Sequence, residues 1–341
     1  MGNKITEKYF IQGDFSHREA DVLAQVIAET GFVVEKEIFR GTIYDKNKVG
    51  SLIYKGTLGG KPATLKLQGL RPEIDEGEII KRFAAQNQSN LVRVPALYVH
   101  KPWTEKYGHG YLITEYIDTP KIFEMPFATA EQMQDFARFY QEYRTSAIVS
   151  PWAEPETTDS LTFTMRKTDH WRKISESKKR LALADYAPHL SRYYAIAKKH
   201  FPSIPMVFCH AHLTANDIYR MPDGSFVVLS NLYWSYRPQW YDLAFNIWAC
   251  LLHIRDTRYT SEEMTRYIYD WLATYRAIPV VQQDEDFERK ITMALLERTI
   301  GAILVDLGVN DFYEGEENKQ YFRHLLGLHH QLFDSLAKKL A

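Results

Sequence analysis

The stretch that decides the fold reads CHAHLTANDIY at 209–219, VVLSN at 227–231 and WYDLA at 240–244. Apolar residues at 206–208 lead into it, and the turn-forming MPDG at 221–224 separates its first two blocks. Pro, Asp and Gly between β-prone runs predict a hairpin, with strands over 206–212 and 225–230 around it. Polar residues fall at fixed offsets: His212 and Asp217 are five apart, Ser230 and Asp242 twelve apart. Cys209, His210, His212 and Asp217 also admit reading as metal ligands, because alternate residues of an extended segment face one side.

Upstream, the pattern is mostly sheet. Ser16 followed by Glu19 forms a capping box for a helix over 17–30, with Gly31 as its stop. SLIY at 51–54 and ATLKL at 63–67 bracket Gly59 and Gly60, and with 37–42 before them they predict a three-stranded meander. Asp75 can cap a helix over 76–87, whose Ile79, Ile80, Phe83 and Ala84 share a face. Strands follow at 96–100 and 111–116. Downstream, helical spacing takes over: Thr129 and Gln132 make a capping box, and patterns recur near 162–180, 185–200, 239–256, 261–276, 284–306 and 318–340.

The three quoted blocks resemble the core of the aminoglycoside and choline phosphotransferases, in which HGDxxxxN, a hairpin, an Asp ending its second strand and a YDLA-like helix start follow in this order. The resemblance implies an α+β, protein-kinase-like two-lobe fold. A sheet lobe with one internal helix would span 1–118, and a mainly helical lobe carrying 209–231 would span 119–341. It implies that Lys66 holds nucleotide phosphates with Glu76 as its partner, since apolar residues follow Glu76 at +3 and +4 but Lys81 and Arg82 follow Glu78. It implies that Glu115, Tyr116 and Ile117 form the interlobe hinge that bonds adenine through its backbone. The phosphate loop would be 41–50, which has glycines only at its ends and lacks GxGxxG.

The family's catalytic Asp falls on His212, its metal-binding Asn on Asp217 and its second metal-binding Asp on Ser230. His210, which in the family braces the catalytic loop, and Asp242 on the scaffold are retained. Mismatch confined to the positions that handle protons and metal implies a pseudokinase. A positioned base contributes roughly 10² to 10⁴ in rate, and a Lewis-acid metal several kcal/mol. Losing both from a kinase running at about 1 to 100 per second leaves negligible turnover. The expected role is binding ATP or another nucleotide, a small molecule or a protein partner, with Ser230 a poor magnesium ligand and Asp217 a weak one. The alternative is an active ATP-dependent phosphotransferase acting on a hydroxyl acceptor, with His212 and Asp217 as non-standard catalytic groups.

Composition sets the outer limits. In 341 residues, 42 Lys and Arg face 43 Asp and Glu, a formal net charge of −1, which argues against a general nucleic-acid binder. Two cysteines, Cys209 and Cys250, cannot build a disulfide framework, so a reducing, cytoplasmic setting is expected. No stretch reaches the roughly 18 apolar residues of a membrane span. Trp234, Trp240, Trp248, Tyr233, Tyr236 and Tyr241 crowd one segment, where they either pack the helical lobe or form a cage for a cation.

Overall fold

Period-two alternation shapes the N-terminal sheet. In the computed structural model, which describes residues 17–41, 50–69 and 75–341, helix α1 (Glu19–Thr30) is followed by β1 (Val33–Gly41), β2 (Ser51–Leu58) and β3 (Lys61–Gln68). Leu52 and Tyr54 of β2 and Ala63, Leu65 and Leu67 of β3 point to one face and bury Val22, Val26 and Phe32 beneath them. Gly59 and Gly60, both at positive φ, close the β2–β3 hairpin as a tight primed turn requires. Gly31 ends α1 in the left-handed conformation. The capping box expected at its start rests on Ser16, and most of the 41–50 phosphate loop also lies outside the described residues. Glu19 pairs with Arg40 at 2.8 Å.

Asp75 caps α2 (Glu76–Gln86) by accepting from the Glu78 amide, and β4 (Val92–Arg93), β5 (Leu97–Thr104) and β6 (His109–Glu115) follow. The five long strands form an antiparallel sheet in the order β1-β2-β3-β6-β5.

Beyond it come α3 (Ala130–Glu142), opened by the expected Thr129–Gln132 box, then α4 (Ser160–Lys178) and α5 (Leu183–His200). Four short strands interrupt the helices: β7 (Met206–His210), β8 (Ile218–Arg220), β9 (Phe226–Val228) and β10 (Trp234–Pro238). The chain closes with α6 (Tyr241–Leu252), α7 (Ser261–Arg276), α8 (Pro279–Gln282), α9 (Phe287–Gly301) and α10 (Lys319–Lys339).

Two elements depart from expectation. The strand expected over 206–212 stops at His210, where the Leu213 amide turns back onto the His210 carbonyl. The helix expected over 284–306 starts at Phe287, and its last turn, Ala302–Leu307, is π-helical. Two strands escaped the sequence reading: the two-residue β4, and β10, which pairs antiparallel with β7 and sets Ser235 opposite Cys209.

The two halves are stitched together. β4 runs parallel to β9, with Val92 opposite Phe226, and Ile79, Ile80 and Phe83 of α2 belong to the large core of the helical half. The Phe83 ring lies 5.7 Å from Trp152 and 5.6 Å from Trp234. Burying a Phe side chain contributes about 1.5 to 3 kcal/mol, so α2 is anchored to the helical half through Phe83 while its first turn meets His100 of β5 at Asp75, 2.7 Å away.

Candidate functional site

Lys66 sits on β3, flanked by Ile53 of β2 and Leu112 of β6. Its Nζ meets Glu76 Oε2 at 2.5 Å, and both side chains are largely buried. The other oxygen, Oε1, accepts from the Asn231 backbone amide at 2.8 Å. The carboxylate therefore joins the sheet to the segment after β9. Glu78, the rejected alternative, faces solvent and pairs with Lys81.

The second part of the site grows from β7. His210 is fully buried, and its amide donates to the Tyr143 hydroxyl at 2.6 Å. Its Nε2 lies 3.2 Å from the Leu229 carbonyl and 3.0 Å from the Ser230 carbonyl. Carbonyls only accept, so Nε2 carries the proton. Burial holds the imidazole below its ordinary pKa and keeps it neutral.

Ser230, held by that imidazole, stands at φ 55° and ψ 42°, a left-handed conformation that costs a non-glycine residue roughly 1 kcal/mol. Its hydroxyl donates to Asp217 Oδ1 at 2.5 Å, while Thr214 donates to Oδ2 at 2.8 Å. His212 Nδ1 approaches Oδ2 at a longer 3.4 Å. Burial works to raise the Asp217 carboxyl. The hydrogen bond and charge of His212, with His210 and the Ser230 hydroxyl, outweigh it and hold the group below the usual carboxylate value.

This donor set does not suit magnesium. A hard dication held by protein wants carboxylates with free lone pairs in octahedral array. Here a single carboxylate serves, each of its oxygens already accepts from a hydroxyl, and Ser230 brings no charge. Among the described residues no group of three His, Cys, Asp or Glu side chains could hold a metal ion. Burial pushes the Cys209 thiol far above its ordinary value.

At the end of β6, Glu115 forms a two-pronged pair with Arg93 at 2.6 and 2.9 Å. Its backbone amide is bonded to the Ala96 carbonyl at 2.8 Å, and the Tyr116 amide reaches the Pro62 carbonyl at 3.4 Å. The Glu115 and Tyr116 N–H groups are thus both committed to carbonyls of the chain. Asp242 opens α6, where its Oδ1 accepts from the Tyr140 hydroxyl and the Leu243 amide, both at 3.0 Å. Burial raises its pKa.

The aromatic group divides. Trp234 is core, and Trp240 donates to Asp284 at 2.7 Å. Tyr233 stacks on the half-exposed His212 ring at 4.5 Å, and Phe245 lies 4.7 Å from the same ring. Behind them, Arg298 sits 3.7 Å over Trp248. Asn231, Thr214, Tyr143, Arg298 and Asp306 were not singled out in the sequence. Only Thr214, lying between His212 and Asp217, had a positional signal.

Two lobes, a lysine on β3 paired with the first residue of α2, and a hairpin-bearing loop beneath them complete the arrangement. The fold is that of the protein-kinase-like phosphotransferases. The chain is similar to the microcompartment-associated aminopropanol kinase at 14% identity and TM-score 0.63, covering 94% of this chain and 100% of that one. It is similar to a thermostable mutant of aminoglycoside phosphotransferase APH(4)-Ia at 11% identity and TM-score 0.60, covering 91% and 97%. With the Plasmodium vivax ethanolamine kinase it shares 16% identity at TM-score 0.52, covering 93% and 86%. No family model and no curated protein matches the sequence. No described helix is long and apolar enough to cross a membrane.

Proposed function

We propose that this protein is a catalytically impaired member of the kinase fold, a pseudokinase, whose lobes divide near residue 118 and whose interlobe cleft binds a nucleotide without metal. The observation that carries this reading is the state of Asp217. Both of its oxygens accept from hydroxyls of the chain itself, which supports a site that works without a metal. Lys66 and Glu76 remain as the charged pair that holds phosphates. Similar structures solved with ADP or AMP-PNP support a nucleotide in the same cleft, and Tyr116 and Ile117 offer backbone groups for its base. The helical half would present the surface for a protein partner, and a cytoplasmic setting suits the two free cysteines.

The active-enzyme reading draws on the His212–Asp217 contact, a base beside an orienting carboxylate. Thermal unfolding with an ATP analogue, with magnesium and then with chelator, separates the two. A ligand that binds only the folded state stabilises it by RT ln(1 + [L]/Kd). The expected outcome is the same upward shift in both conditions, with no magnesium-dependent product from a panel of aminoglycosides, choline-like amines and sugars. Turnover that disappears in His212→Ala would establish the enzyme instead.

A further inference from the structure

The wall beside His212 holds a buried charge cluster that phosphate handling does not use. Arg298 lies 3.7 Å over Trp248 and 5.1 Å from Phe245, whose ring also touches His212. Lys167 lies 4.2 Å over Tyr241 and 2.6 Å from Glu297. These aromatic faces, which would otherwise attract a cationic ligand, are covered by cations of the chain itself.

The remaining balance is positive. Lys167, Arg237 and Arg298 stand against Glu297 and Asp306, and Arg237 lies 5.8 Å from the Tyr241 ring. Burial alone would raise the Tyr241 hydroxyl, yet Arg298 and Lys167 bring it below its ordinary value, the mark of a positive local potential. Glu297 is locked against Lys167 with no exposure. Asp306 is pushed up to about 6 by burial, against the pull of Arg298 and His212, and so carries its negative charge reluctantly.

Arg298 is under-supplied with acceptors. A guanidinium has five N–H donors. Here one nitrogen reaches the Tyr241 hydroxyl at 3.3 Å, another reaches Asp306 at 3.5 Å, and Nε has no partner.

We propose that this wall binds a small molecule carrying a carboxylate or phosphate, which takes Arg298 in place of Asp306 and lays its body against Phe245 and Tyr233 beside His212. The proposal rests on the reading of the cleft as a binding site and names the chemical class of its second ligand. A cationic amine is disfavoured because Arg298 repels it and already covers the Trp248 face.

Calorimetric titration of the full chain with phenyl phosphate, benzoate and choline tests this. The two anions should bind and choline should not. Arg298→Gln should weaken phenyl phosphate by about tenfold or more, the loss of a charge-assisted pair. Asp306→Asn should strengthen it severalfold by freeing the guanidinium, so this opposite change carries the test if Arg298→Gln does not fold. A saturating ATP analogue should leave the affinity for phenyl phosphate unchanged, which separates this wall from the nucleotide position. Choline binding more tightly than either anion, no measurable anion binding, or affinity indifferent to both wall variants would overturn the proposal. Loss of nucleotide binding alone would overturn the preceding section and leave this one standing.

Discussion

The two sides of the cleft have gone different ways. On the sheet side, Lys66 and Glu76 form an ion pair at 2.5 Å with a third contact to Asn231. On the hairpin side, Asp217, Ser230, Thr214 and His212 bond to one another. Under the pseudokinase reading proposed above, a charged pair that serves both structure and phosphate binding would outlast catalysis. Carboxylates serving only a metal would give way to groups that satisfy each other, because a buried charge with no partner costs more than a hydrogen-bonded one.

The largest effect should come from reversing the hairpin side. Combining His212→Asp, Asp217→Asn and Ser230→Asp restores the family's base and metal ligands, and magnesium-dependent ATP hydrolysis should rise by roughly 10²-fold or more. A restored chain as inert as the parent would mean that the sheet side is disabled too.

Next comes Asp217→Ala, which strands the Ser230 and Thr214 hydroxyls and should lower stability by about 1 to 3 kcal/mol in urea unfolding. Acid should act on the same side. The folded Asp217 carboxyl titrates below its ordinary value, so the stability it contributes is complete above the ordinary carboxylate pKa and is lost as pH falls through the lower folded one. His210 is also depressed from 6.5. Below that pH the unfolded chain takes up a proton that the buried ring refuses, so stability again falls toward acid. His210→Gln should flatten the upper part of the acid slope, and an unchanged slope would show that the ring is not held neutral.

Lys66→Ala should weaken the ATP analogue about tenfold, the worth of one charge-assisted hydrogen bond, whereas His212→Ala should leave it within about twofold. Equal losses would erase the distinction between the sides. The smallest change is Ser230→Gly. It relieves the left-handed backbone but surrenders the bond to Asp217, two terms of about 1 kcal/mol that nearly cancel.

Much of the frame was legible because its signals are local. Gly31, the Gly59–Gly60 turn, Asp75 and the Thr129–Gln132 box each act within four residues, and each stands where its spacing put it. Lys66 and Glu76 were legible through resemblance, and their contact follows from a helix start placed over a strand. What stayed hidden depends on distant pairing. β10 pairs with the edge that β7 offers, and its alternation, Trp234-Ser235-Tyr236-Arg237, is cut short by Pro238 and too brief to announce a strand alone. Arg298 and Asp306 lie on a continuous helical pattern that becomes π-helical only in the packed structure. Asn231 enters the site through its backbone amide, which no side-chain pattern could announce.

Helix α2 belongs to both halves at once. Phe83 is seated among Trp152 and Trp234, and Val92 is laddered to Phe226, while Gly77 presses on the His100 ring of β5 and Asp75 meets that ring at 2.7 Å. The helix is therefore a rivet through sheet and helices together, and the Lys66–Glu76 pair is one of several ties along it.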